Sequence, residues 1–440
     1  MRYTHLFTLV ALASLTLQTQ AKWSRLPAVE EKPVSIAGIL SGTTVYDSKG
    51  LDPANALLLG DPVKSVNLPS GQSEASLKFA KQSVLKGLSF VNDGIEGKIA
   101  LSTSADGNSW TPVDSQVFTP SDRLVKLNGG ASQGRYLRMQ FNLVRGGVIR
   151  SFQAIGTATD ANYTVTQNAD GTGAKVNFAA GIGGGRLLYI SPELYGSRNE
   201  AVKSNVLEFP ESDEKYRTAV YDLGQVRTLS EFGSVHSPRP VRFSVYAFDS
   251  LPEKEDWRGR LAFDPSVFDT AEPVAKAEDA SGSGMVKAKL NKTVKSRYIA
   301  LRWEPDFNPP AFTAYSVSIT GAANVTYSGN GVTVTTTTDA SGNAVTTVEA
   351  NGQVNLTITV DKNGNVTVTG SDAGPGANGP TVNVNETEIE EPTTFNGVIV
   401  GAPSANGAGL GGPAAGPSGG GTAPNPSGGT SGSGGSGSTP

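Results

Sequence analysis

The sequence has 440 residues, of which 37% are hydrophobic and 17% are charged. This length supports more than one hydrophobic core, but 53 glycines argue against a chain that is packed throughout. The formal net charge is −4 and no basic block is present, so neither nucleic acid nor an anionic membrane surface is expected as a partner. There is no cysteine, which excludes disulfides and cysteine-ligated metals.

Residues 1–21 have the layout of a cleavable signal peptide. Arg2 precedes an apolar run from Leu6 to Leu17, and small residues stand at Thr19 and Ala21. The run is shorter than the roughly 20 apolar residues that a membrane-spanning helix needs. We therefore predict a protein that is secreted or held at the cell surface or in the periplasm, with no integral membrane segment after signal removal. Export without cysteine favours a bacterial source.

Strand patterns become regular from Ser76 onward. Apolar and polar residues alternate in Leu77–Ala80, Gly87–Phe90 and Gly97–Thr103, and no helical period lies between these runs. Short strands at such regular spacing are typical of a β-sandwich or barrel.

A tight hairpin follows at Asp106-Gly107, because glycine tolerates the positive φ that such turns need. Trp110 then re-enters the sheet, and a tryptophan directly after a turn is more often a plug at the end of a core than a ligand platform. The next strand, Arg135–Phe141, alternates so that Leu137, Met139 and Phe141 share one face, which we assign to the core.

Segments with the same strand patterns recur in the same order later in the chain. Repetition over about one domain's length predicts a duplicated β-domain, with copies at 30–157 and 160–321. Extra length between Asp249 and Lys295 predicts a surface insertion in the second copy. The matched segments are Leu77–Ala80 with Ala219–Asp222, Lys98–Ser102 with Arg242–Tyr246, and Arg135–Phe141 with Arg297–Trp303, whose core residues would be Ile299, Leu301 and Trp303.

The Asp-Gly-x-x-Trp hairpin at Asp106–Trp110 and the Arg-Tyr-hydrophobic-Arg strand at Arg135–Arg138 resemble the discoidin, or coagulation-factor C-type, family of galactose-binding-like jelly rolls. The resemblance covers residues 30–157 well and residues 160–321 less well, because Trp257 has no Asp-Gly before it. It implies an all-β protein with two tandem jelly-roll β-sandwiches.

The resemblance also implies where a ligand and a metal would bind. Ligands of this fold usually meet loops at one end of the sandwich, where an exposed aromatic ring can stack on a sugar. The candidates are Tyr46 and Tyr195 in early loops and Trp257 in the insertion. A structural calcium ion would use hard oxygen ligands from an early loop. The matching candidates are Asp52, Asn55 and Asp61, although the family's usual Asp-Gly order stands here as Gly60-Asp61.

Residues 322–370 are rich in Thr and Val, with Asn-Gly turns at Asn351-Gly352 and Asn363-Gly364. This composition predicts a small antiparallel meander, which needs another surface to pack on or self-association. Residues 371–440 are dominated by Gly, Pro, Ser, Ala and Asn, and we expect a disordered, flexible linker or tail.

Catalytic equipment is scarce. His236 is the only histidine after the predicted signal, and its setting indicates a loop residue rather than part of a triad, a zinc site or a haem site. We therefore predict no catalytic residue and no cofactor other than the candidate calcium ion. The leading hypothesis is a secreted, non-catalytic protein that binds glycans or another cell-surface polymer. The alternative is a structural or assembly protein of the bacterial envelope or extracellular matrix, which self-associates through the Thr-rich region.

Overall fold

The residues that the structure describes are mostly in strands. Among them, two 3-10 turns occur at Ile39–Ser41 and Ala54–Leu58, and one short helix, α1, at Val267–Thr270. None of the described helices is long and apolar enough to cross a membrane. The computed structural model describes residues 23–26, 34–157, 162–169, 171–194, 206–255, 259, 261–306, 311–329, 331–372, 393–395 and 398–400. The predicted signal peptide and most of the predicted tail lie outside these residues.

Residues 34–157 form a β-sandwich, which we call sandwich 1. Its strands are β2 (Val34–Ser35), β3 (Thr44–Lys49), β4 (Ser65–Leu68), β5 (Gly71–Asp93), β6 (Glu96–Ser104), β7 (Thr111–Phe118), β8 (Leu124–Arg145) and β9 (Gly147–Thr157). They pair in the order β2-β9-β5-β8-β6-β7, with β3 also on β5 and β4 also on β9. The earlier strand, β1 (Ser24–Arg25), belongs to the second sandwich because it pairs with β12, defined below.

The long strand β5 pairs with different strands along its length and so connects the strands of sandwich 1. The first part of β5 pairs with β3 and β8, and its second part pairs with β8 and β9, with a register shift between Lys78 and Ser83. Side chains from both parts, such as Leu77 and Leu88, are buried in one hydrophobic cluster. The predicted core face of β8 is confirmed, because Leu137, Met139 and Phe141 are at most 2% exposed.

Sandwich 2 repeats this design. Its sheet runs β18-β15-β19-β14-β20, with β12 on β14, and β11 and β13 on β20. The predicted core residues of β19, Ile299, Leu301 and Trp303, are fully buried. The strands are β11 (Ala174–Asn177), β12 (Arg186–Ser191), β13 (Leu207–Phe209), β14 (Arg217–His236), β15 (Val241–Phe248), β16 (Glu253–Glu255), β17 (Leu261–Phe263), β18 (Ala275–Asp279), β19 (Met285–Pro305) and β20 (Phe312–Gly329).

The strand registers correct one of the segment alignments that we predicted between the two copies. Leu137 lies opposite Leu77, and its counterpart Ile299 lies opposite Tyr221. Tyr221 is therefore the counterpart of Leu77. The sequence comparison assigned this place to Ala219, two residues earlier. The error preserved the inward face of the strand because strand side chains have a period of two. The match of Lys98 with Arg242 holds, since they face Asn142 and Glu304, five residues beyond Leu137 and Ile299 respectively.

The Thr-rich meander continues the sheet of sandwich 2. Its strands are β21 (Val332–Thr338), β22 (Ala344–Ala350), β23 (Gln353–Val360) and β24 (Val366–Thr369), and β10 (Asn162–Thr166) joins it on the other side of β20. β20 runs through residue 321, where we predicted a domain boundary, without interruption. The hairpin of β25 (Thr393–Phe395) and β26 (Val398–Val400) is the described part of the predicted tail after Asp372.

The meander packs on sandwich 1 through its apolar face. Val334, Val348 and Leu356 join the same buried cluster as Ile39 and Ala80 of sandwich 1. The composition predicted that the meander either packs on another surface or self-associates. Sandwich 1 provides such a surface.

Gly42 lies at this contact. Its φ of 72° is in the left-handed region, and a Cβ there would lie 2.7 Å from Val348 Cγ2 and 3.0 Å from Val334 Cγ2. Both the backbone and the packing therefore require glycine at this position.

We expect Gly42→Ala to lower the free energy of unfolding by about 1–3 kcal/mol more than Gly60→Ala does, because overpacking adds to backbone strain. Gly60 is a matched control, since its φ is 68° and a Cβ there meets nothing within 4 Å. Chemical denaturation of both variants measures the difference. Equal losses of stability would show that the meander does not press on Gly42.

Candidate functional site

The candidate site lies on the outer face of sandwich 1, where a row of side chains crosses the sheet. Thr44, Lys78, Tyr136 and Ser104 lie opposite one another on β3, β5, β8 and β6. Because Leu77 and Leu137 point into the core, the alternation directs Lys78 and Tyr136 to the other face.

Tyr46 belongs to this face. It is the extra residue of a β-bulge between Val45 and Asp47, so it lies in β3 and not in a loop as we predicted. A bulge redirects its side chain relative to the regular alternation. The ring packs edge-on against Tyr136, with 5.1 Å between centroids. Lys78 Nζ lies 5.9 Å from the Tyr46 centroid and 5.7 Å from that of Tyr136, within range of a cation–π interaction.

Trp110 and Arg138 extend the face. Trp110 is half-buried and does not belong to the buried core, so its interpretation as a core plug is wrong. The Arg138 guanidinium lies 4.3 Å from the indole centroid, a stacked geometry that favours a cation–π interaction. Together with Tyr46, Lys78, Arg135 and Tyr136, these residues form what we call the Tyr46 face.

The turn before Trp110 helps to shape this surface. The N–H groups of Asn108 and Ser109 and the Ser104 hydroxyl donate to Asp106 Oδ1 at 2.8, 2.8 and 2.9 Å. Gly107 has a φ of 80°, as the sequence predicts, and its Cβ position would lie 3.3 Å from Tyr136 Cζ. The turn therefore rests directly on the tyrosine ring.

The donors lower the pKa of Asp106 to about 2, the Ser109 N–H contributing most. Because this pKa is below the ordinary 3.8, the turn stabilises the fold above pH 3.8 and loses that contribution as the pH falls towards 2. We expect carboxyl NMR titration to give a midpoint near 2, and Ser104→Ala to raise it because a hydroxyl donor is removed. A midpoint that Ser104→Ala leaves unchanged would contradict this account.

The outer face of β19 in sandwich 2 also carries an arginine, Arg302, two residues beyond Ala300, the counterpart of Arg138. Its guanidinium lies 3.8 Å from the Tyr216 centroid and 4.1 Å from that of Phe268 in α1. The insertion after Asp249 forms β16, β17 and α1, and its Phe263 packs with Leu188 and Tyr189 in a small separate cluster. The insertion therefore adds aromatic side chains to the outer surface of sandwich 2.

The remaining predicted ligand-binding residues, Tyr195 and Trp257, lie outside the described residues, and their roles stay predictions. The candidate calcium ligands are described. Asp52 is exposed, and its backbone exchanges hydrogen bonds with Asn67 at 2.8 and 3.2 Å. Asn55 is half-buried in the 3-10 turn Ala54–Leu58.

Asp61, the third candidate, already has two partners. It accepts the Val63 N–H at 3.1 Å and pairs with Lys287 Nζ of sandwich 2 at 3.3 Å. The described residues contain no group of three or more His, Asp or Glu side chains placed to hold a metal ion. The calcium site stays a prediction based on resemblance.

Asp61 also lines a cavity of about 260 Å³ at the junction of both sandwiches and the meander. Glu231, another lining residue, pairs with Lys175 and Lys287 at 3.4 Å each. Burial acts to lower the pKa of Lys287, but the charges of Asp61 and Glu231 outweigh it and raise that pKa. The cations and carboxylates compensate one another, so this network serves to join the two sandwiches.

His236 is not the loop residue that we predicted. It ends β14 and is fully buried, with Nδ1 2.9 Å from the Ser237 carbonyl oxygen and Nε2 3.7 Å from Asp279 Oδ2. Burial is the main cause that lowers the pKa of His236 to about 4. An enclosed, neutral imidazole of this kind is inaccessible to a substrate as a general base.

Neither a protein-family profile nor a curated protein sequence matches the chain. Similar solved structures include a fucolectin from striped bass serum (11% identity, 66% of this chain and 99% of that one, TM-score 0.23). Two others are the CBM32-1 and CBM32-2 domains of a Clostridium perfringens protein (10%, 69% and 100%, 0.23) and allantoicase from Saccharomyces cerevisiae (13%, 66% and 94%, 0.25). The neighbours are galactose-binding-like folds. The Arg-Tyr phrases and the Asp-Gly-x-x-Trp hairpin predict the same fold.

Proposed function

We propose that the protein is a secreted or surface-located, non-catalytic glycan-binding protein whose binding surface is the Tyr46 face. One observation carries the proposal: on the outer face of sandwich 1 the half-buried Tyr46, Trp110, Arg135 and Arg138 lie together beside the buried Lys78 and Tyr136. Aromatic rings stack on the C–H faces of sugars, and arginine and lysine donate hydrogen bonds to hydroxyl oxygens.

The comparison of the two sandwiches supports the choice of this face. Both carry an outward-facing arginine against aromatic rings, Arg138 on β8 and, two strand positions further along, Arg302 on β19. In sandwich 2 Phe268 of the insertion packs against Arg302, whereas sandwich 1 has no such insertion and its face is lined by the half-buried Tyr46, Trp110 and Arg138. A ligand can therefore reach the rings of Tyr46 and Trp110.

We expect Trp110→Ala and Tyr46→Ala each to weaken glycan binding about tenfold, since each removes one stacking ring. A glycan array identifies the ligand, and calorimetric titration of the best binder gives the dissociation constants. Tyr46→Phe keeps the ring and should bind like the wild type, as should Val226→Ala, which alters an exposed side chain of sandwich 2. An array without any binding, or unchanged affinity in both alanine variants, would reject the proposal.

A second candidate function is self-association through the outer face of the meander. Its inner face is packed on sandwich 1, and its outer face carries a row of threonines that faces one another across six strands. The row consists of Thr164, Thr326, Thr335, Thr347, Thr357 and Thr369. Among the described strands, β24 ends this sheet and offers an edge to a second copy.

Truncation cannot test this candidate, because Val325 and Tyr327 belong to the buried cores. We expect instead that Thr367→Lys combined with Thr369→Lys converts an oligomer into a monomer, since lysine on an edge strand disfavours further pairing. Sedimentation velocity at rising concentration measures the change. A wild-type protein that stays monomeric at about 100 μM would exclude assembly of the strength that standard interfaces provide.

A further inference from the structure

The two sandwiches differ in charge at one equivalent position. Asp222 on β14 lies opposite Tyr298, and Lys78 on β5 lies opposite Tyr136, the counterpart of Tyr298. A carboxylate in one copy is thus replaced by an ammonium group in the other.

In sandwich 2 this carboxylate binds the arginine that precedes the tyrosine. Arg297 donates from Nε and Nη2 to Asp222 at 2.8 and 3.0 Å, a bidentate pair. Burial acts to raise the pKa of Asp222, but the hydrogen bonds from Arg297, the Gly224 N–H and the charge of Arg186 outweigh it, so the pKa is lowered. The arginine of this copy is therefore neutralised within its own sheet.

In sandwich 1 the equivalent arginine, Arg135, has no such partner in its sheet. Lys78 and Arg135 instead converge on Asp372, which lies three residues after β24. Lys78 Nζ donates to Asp372 Oδ1 and to its backbone oxygen, the latter at 2.9 Å, and Arg135 donates to Oδ2. We call Lys78 and Arg135 the carboxylate cradle, because each carboxylate oxygen receives its own cation.

The cradle requires an anion. The Lys78 side chain is only 8% exposed and lies between the Tyr46 and Tyr136 rings. An ammonium group removed from water beside a second cation is unfavourable unless a negative charge compensates it. Asp372 supplies that charge from a position 294 residues away in the sequence.

Asp372 can release the cradle without unfolding its surroundings. Its backbone N–H donates to the Asn355 carbonyl at 3.1 Å, which holds the chain on the meander independently of the side chain. The Asp372 side chain is 30% exposed and that of Arg135 is 37% exposed, so solvent reaches the ion pair. Rotation of the Asp372 side chain would free Arg135 and one donor position of Lys78, while Lys78 keeps its hydrogen bond to the Asp372 backbone oxygen.

We propose that the carboxylate cradle is a subsite for the carboxylate of an acidic polysaccharide, and that Asp372 occupies it as an internal competitor when no ligand is bound. The sugar ring that carries the carboxylate would lie on the adjoining Tyr46 face, so the inference rests on the proposed function and specifies its ligand class. Uronic acids and sialic acids share this chemistry, and the choice of probe separates them.

The test compares matched charged and neutral probes on the full chain. Trigalacturonate and galactotriose of the same linkage are titrated calorimetrically into the wild type, with sialyllactose and lactose as a second pair. We expect the wild type to bind one charged probe more tightly than its neutral partner, with a preference that falls as salt is added. Asp372→Asn should bind that probe about tenfold more tightly and the neutral probe unchanged, since removal of a competitor raises the fraction of open sites.

Two further variants complete the design. Arg135→Gln alters a partly exposed side chain and should abolish the preference for the charged probe over its neutral partner. Glu349→Gln makes the same charge change as Asp372→Asn at an exposed position on the meander and should change neither affinity. Thermal unfolding of each variant verifies that it is folded. If the Asp372→Asn variant does not fold, Arg135→Gln by itself tests the role of the cradle.

The outcomes separate the two proposals. Equal affinity for charged and neutral probes in both pairs would overturn the carboxylate cradle and leave glycan binding by the Tyr46 face intact. An unchanged affinity in a folded Asp372→Asn variant would overturn the competition by Asp372. Binding of the charged probes that Arg135→Gln abolishes but Tyr46→Ala leaves unchanged would support the cradle and reject the Tyr46 face as the sugar platform.

Discussion

The architecture depends on one shared strand, β20. Its first part closes sandwich 2, where Val317 and Ile319 are fully buried, and its last part is the first strand of the meander. A strand that is hydrogen-bonded on both edges cannot change direction freely, so the meander continues the sheet of sandwich 2. This direction lays its Val- and Leu-lined face over sandwich 1 and carries Asp372 to the Tyr46 face. The contact between Tyr327 of β20 and Tyr163 of β10, stacked at 4.6 Å, strengthens the same junction.

The two sandwiches have equivalent interiors and different exteriors. The buried positions of the Arg-Tyr strands are equivalent in both copies because a packed core tolerates little change in volume. Outside the core, sandwich 2 carries an insertion whose Phe268 packs against Arg302, and sandwich 1 presents the Tyr46 face without such an insertion. The exchange of Asp222 for Lys78 belongs to this outer divergence. In sandwich 2 Asp222 of the same sheet neutralises Arg297. In sandwich 1 Lys78 takes the place of this aspartate, and Asp372, from the segment after the meander, neutralises Arg135.

Local sequence patterns predicted the interior well. The alternation in Arg135–Phe141 and Arg297–Trp303 assigned six side chains to the two cores, and all six are buried. The same period of two hid the slip between Ala219 and Tyr221, since a shift by two residues keeps every side chain on its face. The assignments of Trp110 and His236 were wrong because each depends on a contact that is distant in the sequence. The contact of Trp110 with Arg138 and that of His236 with Asp279 produce no pattern among neighbouring residues.

The sequence by itself determined that the chain is all-β, that its design is duplicated and that the Thr-rich region is a meander, because these properties follow from strand periodicity and turn residues close together in the chain. It also singled out Tyr46, although as a loop residue, because a bulge leaves no signature in the alternation. Only the tertiary structure decided what packs on the outer face of each sandwich, where the meander packs, and that Lys78, Arg135 and Asp372 meet. Contacts between residues hundreds of positions apart depend on how the sheets are joined and which surfaces they cover, and neighbouring residues in the chain do not encode that information.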